Sequence, residues 1–246
     1  MVFPFKKKRK RLDEFSLKHG VGLVTYNEPN NMISEQFNTI RTNIQFSSID
    51  KQLKSILFTS SAPSEGKSTV SNNVAVSWAK QEEKVVLIDA DLRRPTIHKT
   101  FDINNQNGIS NYLLGNTSLE EIIKKTMVPN LYVIPSGPIP PNPSELLGSK
   151  RVEKLFLELQ DQFDLLIFDA PPVNSVTDAQ VLASKVDGVV LVVPQGLAEK
   201  SGVIHAKNAL NMVHANLIGA IMNRVSQEKM ESYYGTKYGG YYGVTK

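Results

Sequence analysis

Three short stretches carry residue types whose spacing suits phosphate chemistry. The first is Ser60-Ser61-Ala62-Pro63-Ser64-Glu65-Gly66-Lys67-Ser68-Thr69, entered from the apolar run Ile56-Leu57-Phe58 and followed by a helix-like stretch. Backbone N–H groups at a helix N-terminus lack intrahelical partners, and the helix dipole favours an anion there. Ser64, Glu65, Gly66, Lys67, Ser68 and Thr69 are therefore expected to cradle a nucleotide's phosphates. Lys67 would reach the β/γ-phosphates and the Ser68 hydroxyl a Mg²⁺ ion. The other two stretches are apolar runs ending in aspartate: Val85 to Ile88 before Asp89-Ala90-Asp91, and Leu165 to Phe168 before Asp169. Carboxylates at strand ends beside a phosphate loop suit a hard, oxygen-ligated cation. Asp89, Asp169 and Ser68 are the expected metal ligands.

Ser61 stands where the usual G-x-x-x-x-G-K pattern has its first glycine. Asp91 lies two residues beyond Asp89, so an uninterrupted strand would point both side chains the same way. Asp91 either accepts a hydroxyl proton during phosphoryl transfer or only pairs with Arg93 or Arg94. Those two arginines either neutralise phosphate charge or hold the loop. His19, His98, His205 and His214 are scattered, and neither a His-Glu-x-x-His nor a Gly-x-Ser-x-Gly motif occurs.

These residues need a scaffold. Strands are predicted over 53–59, 84–89, 131–134, 164–169, 188–193 and 217–222. Helices are predicted over 33–47, 67–80, 119–126, 144–160, 179–185 and 198–213. Apolar runs without alternation mean strands buried on both faces. The expected fold is α/β, a doubly wound, mostly parallel sheet with flanking helices, with ligands at the carboxyl ends of the strands. The 33–47 helix would be capped by Ser34, with Ile33, Phe37, Ile40 and Ile44 on its apolar face and Met32 and Phe46 beside it. Glu35, Asn38 and Arg41, three apart, share one side of it. Four prolines within 136–144 make a stiff connector.

The chain has 246 residues and no cysteine, so disulfides and thiolate metal sites are excluded. The formal net charge of +4 becomes −2 once the six cations of Lys6-Lys7-Lys8-Arg9-Lys10-Arg11 are set aside, which argues against a nucleic-acid footprint. Such a run reads either as a solvated, mobile terminus or as a patch that adheres to an anionic membrane face. At the other end, Tyr233, Tyr234, Tyr238, Tyr241 and Tyr242 are five of the chain's eight tyrosines, set among glycines without apolar periodicity. The expected layout is a basic arm over 1–32, a nucleotide-binding domain over 33–228 and a tyrosine-rich tail over 229–246.

The segments 60–69, 86–95, 108–115 and 168–173, together with the tyrosine tail, resemble the bacterial tyrosine kinases of capsule and exopolysaccharide synthesis. The resemblance implies a P-loop ATPase fold turned to protein phosphorylation, with ATP and Mg²⁺ as cofactors. It implies Lys67 on the phosphates, Ser68, Asp89 and Asp169 around Mg²⁺, and Asp91 as the base. The tail tyrosines would accept phosphate from neighbouring subunits. Asn223 matches a family position near the adenine. Glu35-x-x-Asn38-x-x-Arg41 stands where the family has Glu-x-x-Arg-x-x-Arg at a ring-forming contact, so Asn38 implies a weakened ring. Family members of this length resemble the cytosolic half of a split system, activated at the inner face of the membrane by a transmembrane polysaccharide co-polymerase. A Min/Par-type positioning ATPase is the alternative, but Ala62 stands where that class carries a signature lysine. A nucleotide-sensing adaptor without kinase activity is a further alternative.

Overall fold

The computed structural model describes residues 14–48 and 52–226. The basic run 6–11 and the tail tyrosines lie outside the described residues. Seven strands form one sheet in the order β3-β4-β2-β5-β1-β6-β7. They are β1 (Ser55–Ser60), β2 (Val85–Asp89), β3 (Lys124–Lys125), β4 (Leu131–Ile134), β5 (Leu165–Asp169), β6 (Gly188–Pro194) and β7 (Leu217–Asn223). All neighbours run parallel except the short edge strand β3, antiparallel to β4.

The unbroken apolar runs divide by alternation between two cores, as strands covered on both faces require. Ile56 and Phe58 of β1 face one core, where α4 (Lys67–Ala79) brings Val70, Val74 and Trp78 and α3 (Met32–Phe46) brings Phe37 and Ile44. Leu57 faces the other, built from α6 (Ile109–Leu114), α7 (Leu119–Ile122), α8 (Pro143–Gly148), α9 (Lys150–Gln160), α10 (Asp178–Ala183) and α11 (Lys200–Met212). Helices thus cover both faces and leave the carboxyl edge of the sheet open.

Several expectations need correction. Asn31, not Ser34, caps α3, accepting the Ile33 N–H at 2.9 Å. Ser34 is buried and donates to the carbonyls of Glu28 and Val24. Met32, Ile33 and Phe46 are exposed, which leaves a narrower apolar face than the sequence suggested. The helix predicted over 144–160 is two helices, broken at Ser149, whose backbone is extended (φ −70, ψ 157). Gly148 favours the break, since glycine costs about 1 kcal/mol against alanine in a helix interior. Ser144 lies inside α8 and bonds Asp178 instead of capping. The helix predicted over 119–126 stops at Ile122, where the chain turns into β3.

The described part of the predicted N-terminal arm is folded onto the domain. Residues 14–19 form α1, and α2 (Val24–Asn27) packs against α3 and α4. Gly20 has φ 74, and a Cβ there would lie 2.5 Å from the Thr100 backbone nitrogen, so only glycine permits that approach. Leu23 and Thr25 are buried. Asn73 of α4 accepts from the Thr25 N–H at 3.0 Å and donates to the Gly22 carbonyl at 2.9 Å.

Candidate active site

The loop between β1 and α4 turns through two left-handed residues, Ser64 (φ 62) and Gly66 (φ 93). Gly66 stands immediately before α4, and a Cβ there would fall 2.1 Å from Asn223 Nδ2. The N–H groups opening α4 are therefore presented at the carboxyl edge of the sheet, as anion binding at a helix N-terminus needs. The Glu65 side chain turns away from that opening. It is buried and takes the N–H groups of Ser61 (2.9 Å) and Ala62 (3.0 Å) together with the Ser61 hydroxyl. The serine in place of glycine is thus half of a brace within the loop, a pairing that the four-residue spacing of Ser61 and Glu65 could have suggested.

Asp89 and Asp169 sit in register on the adjacent parallel strands β2 and β5, both fully buried. Asp89 Oδ2 accepts the N–H groups of Thr96 (3.1 Å) and Ile97 (3.0 Å), at the start of α5 (Ile97–Thr100). Its Oδ1 and both oxygens of Asp169 have no hydrogen-bond partner. Burial, with Asp169 alongside, pushes the Asp89 carboxyl up to about 8. Burial also raises Asp169, against the opposing pull of Lys67. Buried carboxylate oxygens without partners are costly unless a cation or proton meets them. Among the described residues no three metal-ligating side chains converge as a cage of their own. This donor set fits Mg²⁺, which is commonly held by one or two carboxylates together with substrate phosphates.

Lys67 bridges the two sides of the site. Its Nζ lies 3.0 Å from Asp91 Oδ2, 3.6 Å from Asp169 Oδ1 and 3.3 Å from the Ser68 hydroxyl, to which it donates. Burial pulls the ammonium down, but Asp169, Asp91 and Asp89 together outweigh it and raise it above its usual range. Asp91 Oδ1 accepts the Arg94 N–H at 3.0 Å, so the carboxylate is aimed by the turn that follows it. Arg93 does not pair with Asp91. It forms a two-point pair with buried Asp178 at 2.9 and 3.2 Å, which ties the loop after β2 to α10.

The structure therefore gathers Ser64, Glu65, Gly66, Lys67, Ser68, Thr69, Asp89, Asp91 and Asp169 at one edge. Asn223, at the end of β7, joins them by donating to the Glu65 carbonyl at 3.1 Å. Glu35 and Arg41 lie apart on α3. Glu35 is exposed and accepts from Asn38 at 2.9 Å, while Arg41 donates to the Ser77 carbonyl of α4 at 2.9 Å. No described helix is long and apolar enough to cross a membrane. Asp178 carried no sequence signal, because its role depends on a partner 85 residues away.

A family described as an AAA domain matches residues 53–223. The chain is 46% identical over 217 residues to the tyrosine-protein kinase YwqD of Bacillus subtilis (strain 168), covering 87% of this chain and 92% of that one. Among solved structures, the chimerical protein CapA2B2 superposes with a TM-score of 0.81 at 36% identity, covering 88% of this chain and all of that one. The kinase domain of the Escherichia coli tyrosine kinase ETK superposes at 0.79 with 32% identity, covering 84% of this chain and 82% of that one.

Proposed function

This chain belongs to the bacterial tyrosine-protein kinases, and we propose that it transfers the ATP γ-phosphate to the tail tyrosines of a neighbouring copy, in the service of capsule or exopolysaccharide synthesis. The observation that carries the site assignment is the pair of buried carboxylates, Asp89 and Asp169, three of whose four oxygens lack a hydrogen-bond partner, beside Lys67 at the start of α4. The N–H groups of 64–69 receive the phosphates. Asp89, Asp169 and the Ser68 hydroxyl would hold Mg²⁺, which when bound would supply positive charge against the phosphate oxygens. Lys67 leaves its bridge to Asp91 for the γ-phosphate, and Asp91 is then released to take the proton of the incoming phenol. The Arg94 N–H keeps that carboxylate oriented. Asn223, held against the loop, borders the nucleoside end.

Tyr233, Tyr234, Tyr238, Tyr241 and Tyr242 are the proposed acceptors. A transmembrane co-polymerase is the proposed activator, and the likeness to a chimerical protein supports a kinase that works beside a second component. The run 6–11 would hold the chain at the inner membrane face, where each basic residue contributes about 1 kcal/mol. Self-association would use the face carrying Glu35 and Arg41.

The deciding experiment incubates the chain with Mg-ATP and the activator's cytoplasmic segment, then maps phosphate by mass spectrometry. Phosphotyrosine at 233–242, lost in Lys67→Met with the fold retained, is the expected result. ATP hydrolysis without tail phosphotyrosine would return the chain to the positioning ATPases.

A further inference from the structure

An open cleft of about 480 Å³ lies immediately beyond Asp91. Arg93, Arg94 and Lys99 line it from the segment after β2, facing Asn105 and the prolyl loop at Ile139, with Leu17 of α1 at its rim. Three positive charges thus line it, and among the described residues no acidic side chain does. Arg93 is oriented by Asp178, which takes Nε and Nη2 and leaves Nη1 for a further acceptor. Ile139 also lines the cleft, is 63% exposed and offers apolar surface there. A cationic floor with an apolar wall suits an aromatic ring carrying a phosphate, the chemistry that arginine clusters recognise in phosphorylated peptides. The cleft is distinct from the proposed nucleotide site, since none of residues 64–69 lines it.

We infer that this cleft binds phosphotyrosine in the tail of a second copy of this chain. The inference rests on the proposed tail phosphorylation. Charge selects the occupant. From Tyr233 to Lys246 the tail contains two lysines and no carboxylate side chain, so the unmodified segment is repelled by the cleft. Each phosphate adds about −1.5 to −2, which reverses the sign after a second transfer at the latest. A tail that has received phosphate is thereby held beside Arg94, whose N–H meets Asp91, with its remaining tyrosines at high local concentration. Phosphorylation then proceeds in runs along one tail before release.

The test measures fluorescence anisotropy of a labelled peptide spanning 231–246 against the dephosphorylated full chain without nucleotide. The peptide is made unmodified and with phosphate on Tyr241 and Tyr242. Binding of the phosphopeptide at least about tenfold tighter, weakening with salt, is expected. Arg94→Gln and Lys99→Gln should each weaken it by about three- to tenfold, with unfolding midpoints that show both variants remain folded. Equal affinity for the two peptides overturns the inference, as does phosphopeptide binding indifferent to both substitutions. Vesicles of anionic lipid that displace the phosphopeptide through the same two residues would also overturn it, by giving the cleft to a membrane surface. Synthetic phosphopeptide makes this result independent of catalysis, so a failure of tail mapping with ATP would sink the proposed function alone.

Discussion

The Glu65 carboxylate folds beneath its own loop and accepts the Ser61 N–H at 2.9 Å. The same carboxylate takes the Ala62 N–H and the Ser61 hydroxyl, so a loop that lacks its first glycine is held in shape before any nucleotide arrives. Glu65→Ala leaves two loop N–H groups without an acceptor and should cost about 1–3 kcal/mol in urea unfolding. Because the brace acts through the loop, the KM for ATP should rise several-fold with kcat little changed. Glu65→Gln keeps a carbonyl oxygen and should recover part of both losses. Equal KM values for Ala, Gln and the parent would make the brace irrelevant to nucleotide binding.

Stability should depend on pH through the buried carboxyls. Asp89 stands at about 8 in the folded chain against 3.8 as an ordinary carboxyl, because of burial first and Asp169 second. A raised folded value means the native state holds its proton more tightly. That contribution is complete below about pH 4 and is lost as the pH climbs through about 8. Without cation or nucleotide, the unfolding midpoint should fall between about pH 4 and pH 8 and level off above that. Mg²⁺ with ADP replaces the proton, so the fall should flatten and binding should release protons, measurable by calorimetry in buffers of different ionisation enthalpy. A cation-free midpoint that rises over this interval would contradict the assignment.

Asp178 gives a third test. It is fully buried and is met by Arg93 and the Ser144 hydroxyl, linking the turn after Asp91 to α10 and α8. Arg93→Ala removes the cation paired with that carboxylate and leaves it the Ser144 hydroxyl. With the Arg93 side chain 42% exposed, water screens part of the loss, and about 1–3 kcal/mol is expected rather than the full cost of breaking a deeply buried pair. Arg93→Ala combined with Asp178→Asn should be more stable than Arg93→Ala alone, as read by a double-mutant cycle in urea. Additive losses would mean that the pair is uncoupled.

The parallel sheet and its carboxylate-bearing edge were legible because their signals are local. Val85 to Ile88 and Leu165 to Phe168 announce strands buried on both faces, and the Asp residues ending them must then emerge together at one edge. The break at Ser149, the early stop at Ile122 and the burial of Ser34 were not legible. Each is decided by a partner distant in sequence or by a weak helix-former whose effect depends on packing. Asp178 belongs to the same class. The segment 14–31 misled for a further reason. Its polar end at Asn27-Glu28-Pro29-Asn30-Asn31, behind the basic run, reads as part of an arm, yet only Leu23, Thr25 and the backbone near Gly20 need to be buried for it to dock, and that docking is carried by Asn73 on a different helix.

Asn73 supplies the last prediction. Fully buried on α4, it makes four side-chain bonds: Oδ1 accepts the Thr25 N–H at 3.0 Å and hydroxyl at 2.7 Å, and Nδ2 donates to the Gly22 and Thr69 carbonyls at 2.9 Å each. One amide thus joins the N-terminal segment to the first turn of α4. Asn73→Ala should cost about 2 kcal/mol or more, since buried donors and acceptors on both sides lose their partner. It should also open residues 20–28 to limited proteolysis while the sheet stays protected. Asn73→Asp keeps the acceptor toward Thr25 but sets a carboxylate against two carbonyls, so it should not rescue. The informative readout is ATP affinity. If the segment steadies the helix that carries Lys67 and Ser68, release of 20–28 will weaken nucleotide binding as well as stability. Cleavage within that segment at unchanged ATP affinity would show that it covers α4 without acting on the site.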